Sequence, residues 1–452
     1  MPGAPESLTP AAAPSKLASV SFGEAMKTWA YVALNSFGGP AGQIAVMHRE
    51  IVERRQWLDE RRFLHALNYA MLLPGPEAQQ LATYIGWLMH GVRGGLVAGG
   101  LFILPGVIVL MVLSIIYAGF SDVTIVQALF YGIKPAVIAV VAAAVMRLAS
   151  RALVSRVHIA VALAAFVAIY FFDLPFPLII VGAAVVGLLT RDRKREAEAA
   201  ADSETEIRLP PVRLSIGAVI LGLVLWLAPT VALFLVFGPG SIFTQLALFF
   251  SFAAVITFGG AYAILAFIAQ QAVDVYGWLT PRQMVDGLGL AETTPGPLIM
   301  VVQFVAFLAA FAAPTGMDPF VAGAVAGLLV TWVTFVPSFV FIFAGAPYAE
   351  YLRQRPGPAA ALSGITAAVT GVIANLALWF ALQTLFAVTG ELHYGPLRLH
   401  TVNMATLDVF GLGLAIASYI ALTRLRWGLL TTIALSALAG LVYYLVAAPQ
   451  PL

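Results

Sequence analysis

Long apolar segments separated by short polar ones dominate the hydropathy pattern of this chain. Several apolar runs carry no charged residue, and each is long enough to cross about 30 Å of hydrocarbon as a helix. These runs are 95–119, 214–237, 320–346 and 427–448. By the same pattern we expect further spanning helices near 123–147, 157–172, 174–190, 358–387 and 406–423.

Four other apolar segments are interrupted by glycine and proline. The segments are 21–47 (Gly38-Gly39-Pro40), 64–90 (Pro74-Gly75-Pro76), 243–269 (Gly259-Gly260) and 284–312 (Pro295-Gly296-Pro297). Proline removes a backbone donor and clashes with the preceding turn, so a helix should break at each of these points. The freed backbone groups cannot face lipid and must be buried in protein or line a wet cavity. We therefore expect half-helices that meet in the middle of the membrane.

The interrupted segments occur twice at a constant spacing. An offset of 221 relates the Gly-Gly breaks (259 − 38), the Trp-Leu pairs (278 − 57) and the Pro-Gly-Pro breaks (295 − 74). Beyond the breaks the offset becomes 232, as between Gly132 and Gly364. The chain is therefore predicted to contain a tail (1–20), an N-terminal repeat (21–190), a linker (191–213) and a C-terminal repeat (214–452).

Positive charge is distributed unequally between equivalent loops of the two repeats. Loop 48–63 contains five arginines, whereas its equivalent 269–284 contains only Arg282. Because Lys and Arg accumulate in cytoplasmic loops, the two loops should lie on opposite sides of the membrane. The extra span 214–237 would supply the inversion, and inverted repeats are typical of secondary transporters. We expect loop 48–63 to be a solvated helix and 64–90 a re-entrant hairpin or two very short helices. Whether 21–47 also returns to its own side stays open.

Composition supports an all-α polytopic membrane protein. The 452 residues are 61% hydrophobic and 10% charged, with a mean hydropathy of +0.93. The chain has no cysteine, which excludes disulfides, thiolate metal sites and a cysteine nucleophile. No basic patch indicates nucleic-acid binding, and the histidines lack metal-ligand spacing. We therefore expect no cofactor and no metal.

Ionisable residues inside apolar segments are costly and indicate function by default. Lys134 lies in the middle of 123–147, where it would be an anion partner or one member of a structural ion pair. Glu77 begins a half-helix after Pro76, where it is either a cap or a proton-carrying carboxylate. Glu292, Thr293 and Thr294 precede the second Pro-Gly-Pro break. Carboxylates and carbonyls would also suit a cation, so that alternative stays open.

Backbone amides after the glycines are the main candidates for oxyanion binding, since helix N-termini attract anions. Polar side chains beside the breaks complete the predicted binding site. Its residues are Ser36, Gly38, Gly39, Gln43, Pro74, Gly75, Glu77, Gln80, Lys134, Gly259, Gly260, Glu292, Thr293, Thr294 and Gly296.

Several strings of this sequence resemble the chromate ion transporter family in its long, two-domain form. They are Ser36-Phe37-Gly38-Gly39-Pro40, Glu53-Arg54-Arg55, Trp57-Leu58, Leu73-Pro74-Gly75-Pro76, Gly132-Ile133-Lys134-Pro135 and Ala291-Glu292-Thr293-Thr294-Pro295-Gly296-Pro297. The resemblance implies a multi-pass protein of the bacterial inner membrane that exports chromate, confers chromate resistance and is not an enzyme. It points to the two motif regions and Lys134 as functional positions.

Further expectations concern partners and alternatives. We expect contact with the lipid bilayer, no nucleic acid, proton coupling and a homodimer. A carrier of sulfate or another oxyanion remains an alternative, because chromate is a dianion that resembles sulfate. A membrane-embedded phosphatase or lipid-processing enzyme is a weaker alternative, since the breaks contain no His nucleophile and no Arg partner.

Overall fold

A computed structural model describes residues 20–190, 212–258, 260–345 and 356–447 of the chain. All of the predicted tail except residue 20, most of the predicted linker and Gly259 lie outside the described residues.

The first half consists of helices only. They are α1 (Phe22–Leu34), α2 (Gly39–His48), a π-helical turn (Arg49–Arg54), α3 (Glu60–Leu72), α4 (Glu77–Phe120), α5 (Thr124–Ala152), α6 (Arg156–Phe172) and α7 (Phe176–Leu189).

The second half repeats this order after one additional helix and adds a hairpin of strands. Its elements are α8 (Val212–Phe237), α9 (Ile242–Ile256), α10 (Ala261–Gln270), a π-helical turn (Gln271–Val275), α11 (Pro281–Thr293), a 3-10 turn (Leu298–Met300), α12 (Val301–Ala312), α13 (Pro319–Gly345), α14 (Pro356–Leu385), β1 (Thr389–Tyr394), β2 (Leu397–Val402), a second 3-10 turn (Met404–Thr406), α15 (Val409–Thr423) and α16 (Leu429–Ala447).

Six of the described helices are long and apolar enough to cross a membrane. The qualifying stretches are Glu77–Phe120, Thr124–Ala152, Val219–Phe237, Pro319–Gly345, Ala359–Leu385 and Leu429–Ala447. This confirms the prediction of an all-α polytopic membrane protein. The predicted breaks are also present, because α1 and α2, α3 and α4, α9 and α10, and α11 and the turn before α12 are each separated by non-helical residues.

Helix α4 folds back on itself at His90 and Gly91. Gly91 has φ +62°, which glycine adopts without steric cost. Past the bend, the backbone of Gly94 lies so close to that of Gly86 that a Cβ on either residue would collide with the other's carbonyl oxygen. Small residues allow this close approach of two helix arms. Segment 64–90 is therefore a hairpin that ends beside the start of the next spanning arm.

The segment 21–47 also turns back, which answers the question that the sequence left open. Arg55, after α2, forms an ion pair with Glu24 at the start of α1, with an Nη1···Oε1 distance of 3.4 Å. His90 Nε2 lies 2.8 Å from the carbonyl oxygen of Val20. The entry to α1, the exit from α2 and the bend of α4 therefore lie on one side of the protein.

The prediction of one solvated helix over 48–63 is wrong. A π-helical turn ends at Arg54, Gln56 adopts φ +53°, and α3 begins only after Asp59, whose Oδ1 caps the N–H of Arg62 at 2.8 Å. Glu50 is buried and accepts a hydrogen bond of 2.7 Å from Arg54. The loop is thus partly packed into the protein.

The antiparallel hairpin of β1 and β2 was not predicted. Its strands have six residues each, β1 is mostly exposed and β2 is half-buried, so neither strand stands out as an apolar segment. Arg398 in β2 forms an ion pair of 3.2 Å with Asp173 in the turn between α6 and α7. Asp173 also accepts a hydrogen bond from Gln270 at the end of α10. Through Asp173, the hairpin is therefore joined to the turn between α6 and α7 and to the last residue of α10.

Candidate functional site

The four breaks of the two halves meet through a reciprocal pair of backbone hydrogen bonds. The N–H of Gly75 donates to the carbonyl oxygen of Thr257 at 2.8 Å, and the N–H of Gly296 donates to that of Ser36 at 2.9 Å. The offset of 221 relates donor to donor (296 − 75) and acceptor to acceptor (257 − 36). Each Pro-Gly-Pro break therefore satisfies a carbonyl that the Gly-Gly break of the other half leaves free. We call this region the junction.

Glycine is required at the junction for conformational reasons. Gly75 has φ +131° and Gly296 has φ +98°, while Gly39 and Gly260 have φ +67° and +97°. Residues with a Cβ rarely adopt these angles. Space is also limited, because a Cβ on Gly75 would lie 2.6 Å from Ser338 Oγ.

Helical segments begin at all four breaks. Helices α2, α4 and α10 begin at Gly39, Glu77 and Ala261, and a 3-10 turn leading into α12 begins at Leu298. The first N–H groups of a helix have no partner within the helix, and the helix dipole adds partial positive charge at the same end. The junction therefore has the chemistry of an anion site formed by backbone dipoles.

Glu77 lies beside the Gly-Gly break of the other half, and Glu292 is linked to the other half's Gly-Gly break through the hydroxyl of Tyr262. A Cβ on Gly260 would lie 3.7 Å from Glu77 Oε1. Tyr262 donates a hydrogen bond of 2.8 Å to Glu292 Oε1, and its hydroxyl oxygen lies 3.2 Å from the place that a Cβ on Gly39 would take. Glu77 is half-buried, whereas Glu292 is only 3% exposed and its Oε2 has no hydrogen-bond partner. These two acids therefore sit at the junction.

The two predicted glutamines bind backbone carbonyls at the junction. Gln43 Nε2 donates to the carbonyl oxygen of Gly296 at 2.6 Å, and Gln80 Nε2 donates to that of Pro74 at 2.7 Å. Both side chains are buried. Their amide groups stabilise the breaks, and Gln80 Oε1 remains without a partner.

The predicted hydroxyl residues also lie at the junction, but each donates its proton to its own helix. Ser36 Oγ donates to Val32 at 2.6 Å, Thr293 Oγ1 to Leu290 at 2.8 Å and Thr294 Oγ1 to Ala291 at 3.0 Å. Their side chains therefore offer lone pairs to the junction rather than donors.

Among the predicted residues that the structure describes, Lys134 is the one that lies away from the junction. Its Nζ lies 3.0 Å from Asp286 Oδ1, and Tyr117 donates a hydrogen bond of 2.8 Å to Asp286 Oδ2. Asp286 precedes Glu292 by six residues of α11, which corresponds to about 9 Å along the helix. The ammonium is thus neutralised by Asp286, as one member of an ion pair.

Sequence reasoning did not select Thr257, Tyr262 or Ser338. Thr257 stands at the offset of 221 from Ser36, and Ser338 at the offset of 232 from Gly106. Gly106 packs against the second Pro-Gly-Pro break as Ser338 does against the first. The repeat offsets were therefore a signal for both residues. Tyr262 has no such signal, because its equivalent is Ala41.

Comparison with known proteins identifies the family of this chain. A profile of the family described as Chromate transporter matches residues 23–188 and 244–441. The chain belongs to the chromate transporter family. The two matched ranges contain every described residue of the junction, and the family is one of transporters.

Chromate transport proteins of several bacteria are similar to this member of the chromate transporter family. "Chromate transport protein" of Pseudomonas aeruginosa is 32% identical over 75% of this chain and 76% of its own length. "Chromate transport protein" of Cupriavidus metallidurans is 27% identical over 77% and 80%. "Probable chromate transport protein" of Synechococcus elongatus is 27% identical over 77% and 82%. No solved structure matches the chain significantly.

Proposed function

We propose that this chain is a secondary transporter that carries chromate across the bacterial inner membrane through the junction. The observation that carries the proposal is the reciprocal pair of hydrogen bonds at Gly75 and Gly296, which joins the four breaks of the two halves. Sites at the interface of two repeats, formed by discontinuous helices, are characteristic of secondary transporters. Membership of the chromate transporter family and the named relatives supply the substrate.

The oxyanion is held mainly by backbone dipoles in this proposal. Four helical segments begin at the junction, and none of the junction side chains named above is a Lys or an Arg. The proposed contacts are the amides after the glycines, with the side chains beside the breaks lining the site. Lys134 is proposed to contact the substrate away from the junction.

The membrane potential favours export of a dianion from the cell. One charge that crosses 100 mV gains or loses about 2.3 kcal/mol, so expulsion of a dianion from a negative interior releases roughly 4.6 kcal/mol. Export against a concentration gradient would confer chromate resistance. We propose that proton entry adds to this driving force, with Glu77 and Glu292 as the proton carriers.

The proposed architecture has two inverted repeats, 21–190 and 214–452, joined by a cytoplasmic linker. Both repeats supply breaks to the same junction, and the loops at equivalent positions differ in their content of arginine. We propose no enzymatic activity and a homodimeric assembly. Sulfate or another oxyanion is the second candidate substrate, since its charge and shape fit the same dipoles.

Chromate uptake into inside-out membrane vesicles tests the proposal, because export from the cell becomes uptake in this orientation. We expect saturable chromate uptake that depends on the protein and is only weakly inhibited by sulfate. Sulfate uptake that is faster than chromate uptake would favour the second candidate. Vesicles that accumulate neither anion would contradict the proposed function.

A further inference from the structure

Asp286 joins the second half of the protein to the first by two side-chain contacts. It lies on α11, whereas Lys134 and Tyr117 lie on α5 and α4. Asp286 is 2% exposed, and the side chain of Lys134 is 15% exposed. A buried carboxylate that loses its cation is left uncompensated at a large cost, so the three groups form one unit. We call this unit the triad.

The triad lies beside the contact between α5 and α11. This contact runs from the junction toward the beginning of α11. Gly289, between Asp286 and Glu292, packs against Ile133, with 3.1 Å from its Cβ position to Ile133 Cγ2. Arg282, one turn before Asp286, adds a further charge on α11 and has a partner of its own. A substrate that leaves the junction along this side must separate α5 from α11 and pass the triad.

The equivalent positions in the other repeat carry different residue types. The offset of 221 places His65 of α3 opposite Asp286, and the offset of 232 places Thr366 of α14 opposite Lys134. Helices α3 and α14 are in contact, as α11 and α5 are. Thr366 donates its hydroxyl proton to its own helix at Leu362. The lysine and the aspartate at the α5–α11 contact thus correspond to a threonine and a histidine at the α3–α14 contact.

We infer that Lys134 and Asp286 form a substrate-operated gate on the α11 side of the junction. The leaving oxyanion takes the place of Asp286 as the partner of Lys134, which releases α11 from α5. Asp286 then forms the ion pair with Lys134 again and displaces the anion. The inference rests on the proposed function, because it concerns the path of the same substrate.

The proposed gate predicts specific changes in the KM and kcat of chromate uptake. Asp286→Asn removes the competitor of the anion while Lys134 keeps its charge, so the anion binds more tightly and leaves more slowly. We expect the KM for chromate and the kcat of uptake each to fall at least fivefold. The double variant K134Q/D286N carries neither charge and lacks the contact with the anion. We expect its KM to rise at least fivefold above that of the wild type.

Chromate uptake into proteoliposomes, normalised to folded protein, is the test, and Glu50→Gln is the matched control. Glu50 is also a buried carboxylate in an ion pair, but its partner Arg54 belongs to the same turn. We expect this control to lower stability and to leave KM and kcat unchanged. If Asp286→Asn does not fold, the neutral double variant still tests the gate through its KM.

Two failures are distinguishable. If the wild-type protein transports chromate and both gate variants keep its KM and kcat, the triad is structural and the gate is overturned. If the wild-type protein moves no chromate, the proposed function fails together with the gate that rests on it.

Discussion

The backbone N–H of Gly75 donates a hydrogen bond to the carbonyl oxygen of Thr257, with an N···O distance of 2.8 Å. This bond joins a Pro-Gly-Pro break of the first half to a Gly-Gly break of the second. The equivalent bond, from Gly296 to Ser36, joins the Pro-Gly-Pro break of the second half to the Gly-Gly break of the first. Breaks that are far apart in the chain therefore stabilise one another.

Equivalent loops of the two halves should face opposite sides of the membrane. Gln56 and Gly277 are exposed, related by the offset of 221 (277 − 56), and share a positive φ. Cysteine at Gly277 adds a Cβ at a positive φ and costs about 1–2 kcal/mol of backbone strain, which a protein of this size should tolerate, whereas Gln56 already carries a Cβ at its positive φ. In the cysteine-free chain, Gln56→Cys should react with an impermeant maleimide only from the cytoplasm and Gly277→Cys only from outside. Labelling of both from one side would rule out inverted repeats.

Glu77 and Glu292 should carry the protons that couple to chromate. Gln replaces either carboxylate with a group of similar shape that cannot take up a proton. In inside-out vesicles with an acidic lumen, E77Q and E292Q should each abolish the acceleration of chromate uptake by the pH gradient. Uptake driven by the membrane potential should remain. Glu50→Gln serves as the control, and acceleration that persists in both junction variants would contradict proton coupling at these sites.

His48 should make the stability of the α2–α3 connection dependent on pH. Its ring nitrogens contact Glu60 at 2.6 Å and Glu53 at 3.1 Å. The hydrogen bond to Glu60 is the largest cause that raises the pKa of His48 above its ordinary value of 6.5, with the charges of both glutamates adding to it. Protonated His48 therefore stabilises the fold below about pH 6.5, and this contribution is lost as pH rises through the raised pKa.

Thermal unfolding in detergent measures this effect. Because His48 is partly exposed, we expect at most about 1 kcal/mol. The melting temperature of the wild type should fall between about pH 6 and pH 8 by more than that of His48→Gln. Equal slopes for the two proteins would show that His48 contributes nothing to the pH dependence.

The sequence predicted the breaks of the fold because glycine and proline act locally. Residues 243–269 were expected to be broken at Gly259-Gly260, and the helices on either side end at Ile256 and begin at Ala261. Similarly, Asp59 and Thr280 cap α3 and α11 with their own side chains. Such signals depend on a few neighbouring residues and can be read without knowledge of the tertiary structure.

Contacts between residues that are distant in the chain could not be predicted in the same way. Lys134 was recognised as a buried cation, but its partner could have been any carboxylate of the apolar segments, and Asp286 follows only from the packing of α5 on α11. Tyr262 is an aromatic residue in an apolar helix, so in the sequence it resembles a core residue. Only the structure shows that its hydroxyl donates a hydrogen bond to Glu292. The hairpin was not predicted because it is stabilised by the ion pair between Arg398 and Asp173, which are distant in the chain.

Chromate flux through proteoliposomes that contain Gly75→Ala or Gly296→Ala tests the central claim most directly. A Cβ at either position is incompatible with the φ of the break, which costs about 1–3 kcal/mol and displaces the junction. The matched control is Gly100→Ala, since a Cβ there meets no atom within 4 Å. We predict that both junction variants lose at least tenfold in initial flux per folded protein while Gly100→Ala transports at the wild-type rate. Wild-type flux in Gly75→Ala and Gly296→Ala would contradict transport through the junction.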